Sequence, residues 1–207
     1  MKQYPSIGRS TGQTFHEFTA YVFDKLDGSN LRFEWNRKQG WYKAGRRHGL
    51  LDDSNTALLK APAIFAAKMA EPLAKIARDE RWESVVVFAE LWGPNSLAGY
   101  HDTTDEMKLT LFDVNPFKKG ILGPSEFRKL FEGVVETPNF LGIHKWTRGF
   151  VEQVWKGEVP GVTFEGVVGK AKEGKHDLVM YKAKTQAWVE RVKSRHTPET
   201  AEKIINS

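Results

Sequence analysis

No cysteine occurs anywhere in the 207 residues, so disulfide staples, thiolate metal sites and cysteine nucleophiles are all excluded. The six histidines are scattered, with no His-Glu-x-x-His or related spacing, which leaves carboxylates as the main candidate metal ligands. Any metal is then expected to be a hard cation such as magnesium, held through oxygen. Long apolar runs are missing as well. The opening stretch "MKQYPSIGRSTGQTF" has no signal-like apolar centre, and no later run approaches membrane-spanning length. A soluble, cytoplasmic protein is the expectation. No repeat, low-complexity tract or Gly/Ser/Pro linker divides the chain, so one catalytic domain over residues 1–207 is the simplest organisation.

What is present is ordinary globular composition: 40% hydrophobic and 12% aromatic residues, enough to bury a core at this length. Lys and Arg number 31 against 26 acids, and the resulting +5 suits a polyanionic partner without specifying one. "TAYVFDKL" (19–26), "SVVVFAEL" (84–91) and "MKLTLFDV" (107–114) read as strands, and "LRFEW" with "GWYKAG" reads as a hairpin around "NRKQ". From Ser54 to Trp82 the pattern is Ala/Leu/Lys-rich and helical, interrupted by Pro62 and Pro72. Short helices follow in "GPSEFRKLF" and "TRGFVEQVWKG". A second hairpin joins "VTFEGVVGKAK" (162–172) to "HDLVMYKAK" (176–184), before a helix "TQAWVERVKSRH" and a capped tail at "TPET". The class is α+β, dominated by antiparallel strands.

Several strands carry charge where apolar alternation predicts none: Lys25, Glu90, Glu165, and the pair Lys182 and Lys184. Lys25 ends an apolar run and is followed at once by Asp27-Gly28 turn chemistry, in "VFDKLDGSN". A Lys-x-Asp-Gly match alone arises by chance in roughly one chain in twenty of this length. Lys182 and Lys184 stand two apart, so on a strand both ammoniums share a face and repel unless an anion or a carboxylate lies opposite. Glu165 leads into the apolar "GVV" and needs a cation there. Together these residues suggest a pocket for a nucleoside triphosphate with a divalent metal.

The ordered set resembles the motifs of the covalent nucleotidyltransferase superfamily, the polynucleotide ligases and mRNA capping enzymes. "KLDGSN" is similar to motif I, "FAELWG" to motif III, "LTLFDV" to motif IIIa, "FEGVVGK" to motif IV and "MYKAK" to motif V. The resemblance implies an antiparallel-sheet ligase adenylation domain with flanking helices. It implies that Lys25 attacks the α-phosphate of ATP, expels pyrophosphate and carries AMP as a phosphoramidate. Neighbouring cations would favour the neutral amine that such an attack needs. On the same resemblance Glu90 binds the ribose hydroxyls, Phe112 stacks on adenine, Glu165 holds the metal (magnesium or manganese), and Lys182 with Lys184 contacts the α-phosphate. Arg47, or its neighbour Arg46, looks like the Arg-x-Gly element that touches ribose or phosphate.

Asn30 stands where DNA ligases and capping enzymes usually carry Arg, and this resembles the RNA ligases similar to phage T4 RNA ligase 2. Many of those have His where this chain has Asp27. About 23 residues follow Lys184, fewer than an OB-fold domain takes, so a ligase catalytic domain with no OB domain is the expectation. An ATP-dependent RNA ligase is therefore expected, sealing 5′-phosphate and 3′-hydroxyl ends of nucleic acid as a monomer, with nicked duplex the expected substrate. A minimal DNA ligase, or a nucleic-acid-binding module that has lost the chemistry, are the alternatives. Arg191, Lys193 and Arg195, on the helix after motif V, are the expected nucleic-acid contacts; the alternative is a solvated helix face with Trp188, Val189 and Val192 packed inward.

Overall fold

The computed structural model describes residues 3–9, 17–47, 49–52, 58–94, 96–101, 104–173 and 177–206. They form two compact units, each assembled from separate stretches of the chain. One contains Met1–Pro5, Ser29–Trp92 and Met107–Thr137; the other contains Ser6–Gly28, Gly93–Glu106 and Pro138–Ser207. Each unit is built on a five-stranded sheet, and six helices are described in all.

In the first unit the strands are β3 (Gly28–Asn36), β4 (Gly40–Arg46), β5 (Gly49–Leu50), β6 (Ser84–Trp92) and β7 (Lys108–Pro116), in the order β5-β4-β3-β6-β7. The hairpin expected around "NRKQ" is β3–β4, paired antiparallel. Leu31, Phe33 and Trp35 alternate into the core, where the Phe33 ring stacks on Phe65 at 3.8 Å. The helical insert forms as α1 (Lys60–Lys68) and α2 (Ala70–Asp79), broken at Met69. Pro62 and Pro72 each fall in a first helical turn, where the missing N–H costs little. The insert's expected start at Ser54 and Asn55 lies outside the described residues. Helix α3 (Pro124–Phe131) closes this core with Phe127 and Phe131.

The second unit has β1 (Gly8–Arg9), β2 (Phe18–Lys25), β8 (Phe140–Trp146), β9 (Gly166–Glu173) and β10 (Asp177–Lys184), in the order β1-β10-β9-β2-β8. All pairings are antiparallel except that of β1 with β10. Ala20, Val22, Val167 and Ala183 line one face and pack on Trp146 and on Phe150 and Val154 of α4 (Arg148–Lys156). Gly169 sits on that face because a Cβ there would meet the Trp146 ring at 2.4 Å. Helices α5 (Gln186–Arg195) and α6 (Pro198–Asn206) pack together around Trp188, Val189, Val192, Ala201 and Ile205. No helix among the described residues is long and apolar enough to cross a membrane. Strands β1, β5 and β8 are additions to the sequence reading.

Candidate active site

The period of two that buries Ala20 and Val22 on one face of the second unit's sheet sends Lys25 to the other. The registers Lys25↔Gly166, Tyr21↔Lys170, Met180↔Lys170, Lys182↔Val168, Lys184↔Gly166 and Arg9↔Lys182 then place Arg9, Lys25, Lys170, Lys182 and Lys184 on a common face. Lys170, Lys182 and Lys184 are buried. A sheet face with five cations must be balanced by anions.

The balancing carboxylate is Glu165, which is itself buried. Its Oε2 lies 2.9 Å from Lys25 Nζ and its Oε1 lies 3.2 Å from Lys184 Nζ, so each oxygen holds one ammonium. Lys184 Nζ also sits 4.1 Å from the centre of the Trp188 ring and donates to the Ile204 carbonyl. Burial, with repulsion from Lys25 and Arg9, lowers the Lys184 pKa from 10.5 to about 8 against the opposing pull of Glu165.

Glu165 is held in place from both sides. Asp24, pointing to the apolar face of β2, accepts from the Thr163 backbone N–H at 3.0 Å and from its hydroxyl at 2.8 Å. Thr185 donates its hydroxyl to the Phe164 carbonyl at 2.7 Å and its N–H to the Glu165 carbonyl at 2.9 Å. Burial pushes the Asp24 carboxyl up, against the Thr163 hydrogen bonds. Asp27 is buried too and accepts from the Ala98 N–H at 2.8 Å, which fixes the turn after Lys25. Burial first, then the Glu165 charge, raise its pKa. The Trp188 indole pulls the other way, although neither its Nε1 nor Asp27 Oδ1 has a partner in full hydrogen-bond geometry.

The structure thus brings together Lys25, Glu165 and Lys184 in direct contact, with Lys182 on the same face. Glu90, Phe112, Asn30 and Arg47 belong to the first unit. There the β6–β7 register steps from Phe88↔Asp113 to Ala89↔Leu111, leaving Phe112 as the extra, half-buried residue of a bulge. Tyr4 packs edge-on against Phe112 at 5.0 Å and hydrogen-bonds Asp113; burial and the Asp113 charge, then Glu90, push its phenol pKa up. Asn30 lies half-buried on β3 and Arg47 just beyond β4. The Arg47 carbonyl accepts from the buried Arg32 guanidinium, which braces that turn together with Gly49. Arg46 is exposed.

A family model described as RNA ligase matches residues 19–184, from β2 to the end of β10. The chain belongs to the RNA ligase family. Solved structures agree in fold. A Naegleria gruberi RNA ligase variant with ATP and Mn superposes with a TM-score of 0.65 at 18% identity, over 92% of this chain and 58% of that one. An archaeal ATP-dependent RNA ligase gives 0.64 at 17% identity, over 100% and 56%. An Aquifex aeolicus protein assigned as an ATP-dependent DNA ligase gives 0.61 at 20% identity, over 100% and 58%. The chain therefore spans less than two thirds of the length of these proteins. No curated protein sequence matches it.

Two features of this family member escaped the sequence reading. Lys170 sits in mid-strand, and only its register with Met180 and Tyr21 reveals that it shares the lysine face. Tyr4 lies in a stretch with no pattern of its own. On the helix after motif V, Arg191 donates to the carbonyls of Ala98 and Gly99 at 3.3 and 3.1 Å, and the Arg195 guanidinium occupies the space beside Gly99. Both arginines lie against the loop after β6, and Trp188, Val189 and Val192 pack inward.

The Lys184 shift has a measurable consequence. Between pH 8 and 10.5 the unfolded chain keeps a proton that the folded chain has released, so stability rises with pH across that window. Glu165→Gln removes the carboxylate paired with both lysines, and leaving buried charge uncompensated costs about 3–5 kcal/mol. Its melting temperature should fall sharply at neutral pH, and the gap to wild type should narrow as pH climbs through the lysine range. A gap that is constant with pH would assign the loss to packing.

Proposed function

We propose that the chain is the nucleotidyltransferase part of an ATP-dependent polynucleotide ligase of the RNA-joining class. The observation that carries this reading is the lysine face with Glu165 as its central carboxylate, an arrangement suited to a polyphosphate that replaces or joins that carboxylate as counter-charge. Lys25, at the end of β2 and partly exposed, is the nucleophile. Its neutral amine attacks the α-phosphorus, the bond to the bridging oxygen of pyrophosphate breaks, and the amine proton leaves to solvent or to Glu165, giving lysyl-AMP and pyrophosphate. Lys182 and Lys184 hold the α-phosphate oxygens, and their positive charge disfavours protonated Lys25.

Among the described residues no group of three or more His, Asp or Glu side chains is placed to hold a metal ion. Magnesium characteristically takes one or two protein carboxylates and completes its shell with substrate phosphate and water, so Glu165 fits as its protein ligand. Bound there, the cation would neutralise charge on the phosphates. Glu90 binds the ribose hydroxyls, the bulged Phe112 offers its ring to adenine, and Asn30 and Arg47 contact the nucleotide. The adenylate then passes to a 5′-phosphate end, and a 3′-hydroxyl displaces AMP to seal the strand.

The test is incubation with α-labelled ATP and magnesium followed by a denaturing gel. Acid-labile label on the protein is the expected result; its absence would favour a binding module without chemistry. Sealing assays on nicked duplexes with RNA or DNA on either side then identify the joined strand.

A further inference from the structure

The segment that carries Glu165 also carries an aromatic surface that the adenylylation chemistry does not use. Phe164 stacks on Tyr100 with ring centres 4.3 Å apart and planes 15° from parallel, and Tyr100 is 53% exposed. The Tyr100 ring is thus backed by Phe164 and met edge-on by His101 at 5.3 Å, while the residue as a whole stays half exposed.

Fixing comes from an unusual number of ties. The Tyr100 N–H donates to the Ser96 hydroxyl at 3.2 Å and the Gly99 N–H to the Ser96 carbonyl at 3.0 Å. Asp27 accepts from Ala98, Arg191 holds the Ala98 and Gly99 carbonyls, and His196 bonds the Leu97 carbonyl at 2.8 Å. Phe164 is anchored in turn by the Thr185 hydroxyl. A pair of stacked rings held this rigidly needs no ordering when a flat ligand arrives.

We propose that Tyr100, backed by Phe164, is a stacking platform for a nucleobase of the nucleic-acid strand next to the reacting end. Bases present a flat π-face whatever their identity, and aromatic platforms flanked by cations are how proteins hold unpaired or terminal nucleotides. The cations are in place: Arg191 and Arg195 lie against this loop, and Lys193 is exposed on the same helix. Phe164 adjoins Glu165 in the chain, so the platform is carried by the same segment that meets Lys25. The inference rests on the ligase reading above and adds a residue that selects the second substrate, not ATP.

The experiment uses the full chain and a fluorescent nicked duplex bearing a 5′-phosphate and a 3′-hydroxyl at the nick. Tyr100→Ala should weaken binding of the duplex about tenfold and raise its KM to match. Lysyl-AMP formation from ATP alone should be unchanged, and Tyr100→Phe and Tyr100→Trp should behave as wild type. An abasic nucleotide beside the nick should erase the difference between wild type and Tyr100→Ala. Unchanged duplex binding in Tyr100→Ala overturns the platform, and so does a matching loss of lysyl-AMP formation, which would make Tyr100 a support for Glu165. Because binding is read without catalysis, a wild type that binds the duplex yet takes no label from ATP would sink the ligase reading while still deciding the role of Tyr100.

Discussion

Lys25→Arg is expected to fold with nearly wild-type stability and to take up no AMP at all. The guanidinium can keep the contact that Lys25 makes with Glu165, so the buried carboxylate stays balanced. It cannot become a nucleophile, because it remains protonated at any pH at which the protein is folded. Lys25→Ala should be equally inactive but less stable, since Glu165 then loses one of its two ammonium partners among the described residues. The pair of variants separates chemistry from structure: a gel with α-labelled ATP reads the first, and thermal melts read the second. Label on either variant would move the nucleophile to another lysine of the same face.

Gly166→Ala should abolish AMP transfer by a different route. Gly166 has φ near +148°, a conformation that side-chain-bearing residues rarely adopt. A Cβ there would meet the Ala183 carbonyl oxygen at 2.1 Å and Lys184 Cα at 2.8 Å. Both obstacles are backbone, so β9 and β10 must separate where Glu165 and Lys184 meet. A stability loss of more than about 3 kcal/mol is expected, together with loss of labelling even at temperatures where the variant is folded. A Gly166→Ala protein that melts like wild type and labels normally would show that the close approach of the two strands is not needed for the site.

Much of this site was legible because strand periodicity is rigid. Lys182 and Lys184 were placed on one face by their spacing alone, and the structure puts both there, buried. Glu165 was read as needing a cation, and it has two. Lys170 was not legible: a lysine inside a strand is ordinarily solvated, and only the pairing of β9 with β10 and β2 shows otherwise. Strand β8 was missed because "FLGIHKW" interrupts its apolar residues with Gly142, His144 and Lys145. As the sheet edge it leaves Ile143 exposed, so no alternation marks it. The placement of the basic residues after motif V was not legible, since a charged helix face looks the same in sequence whether it faces solvent or, as Arg191 and Arg195 do, lies against a neighbouring loop.

The tie between Asp24 and Thr163 spans 139 positions, and that between Asp27 and Ala98 spans 71. Contacts so distant along the chain close slowly, because the loop entropy is lost before the contact is gained. Lys25 precedes residues 163–185 in the chain and must wait for them before its counter-charge exists. During synthesis the proposed nucleophile is therefore an ordinary solvated lysine, and its paired setting arises only when β9 and β10 are laid down. On the proposed function, a nascent chain still lacking residues 163–185 would have no setting in which to load AMP, and order of synthesis would itself fix when the chemistry begins.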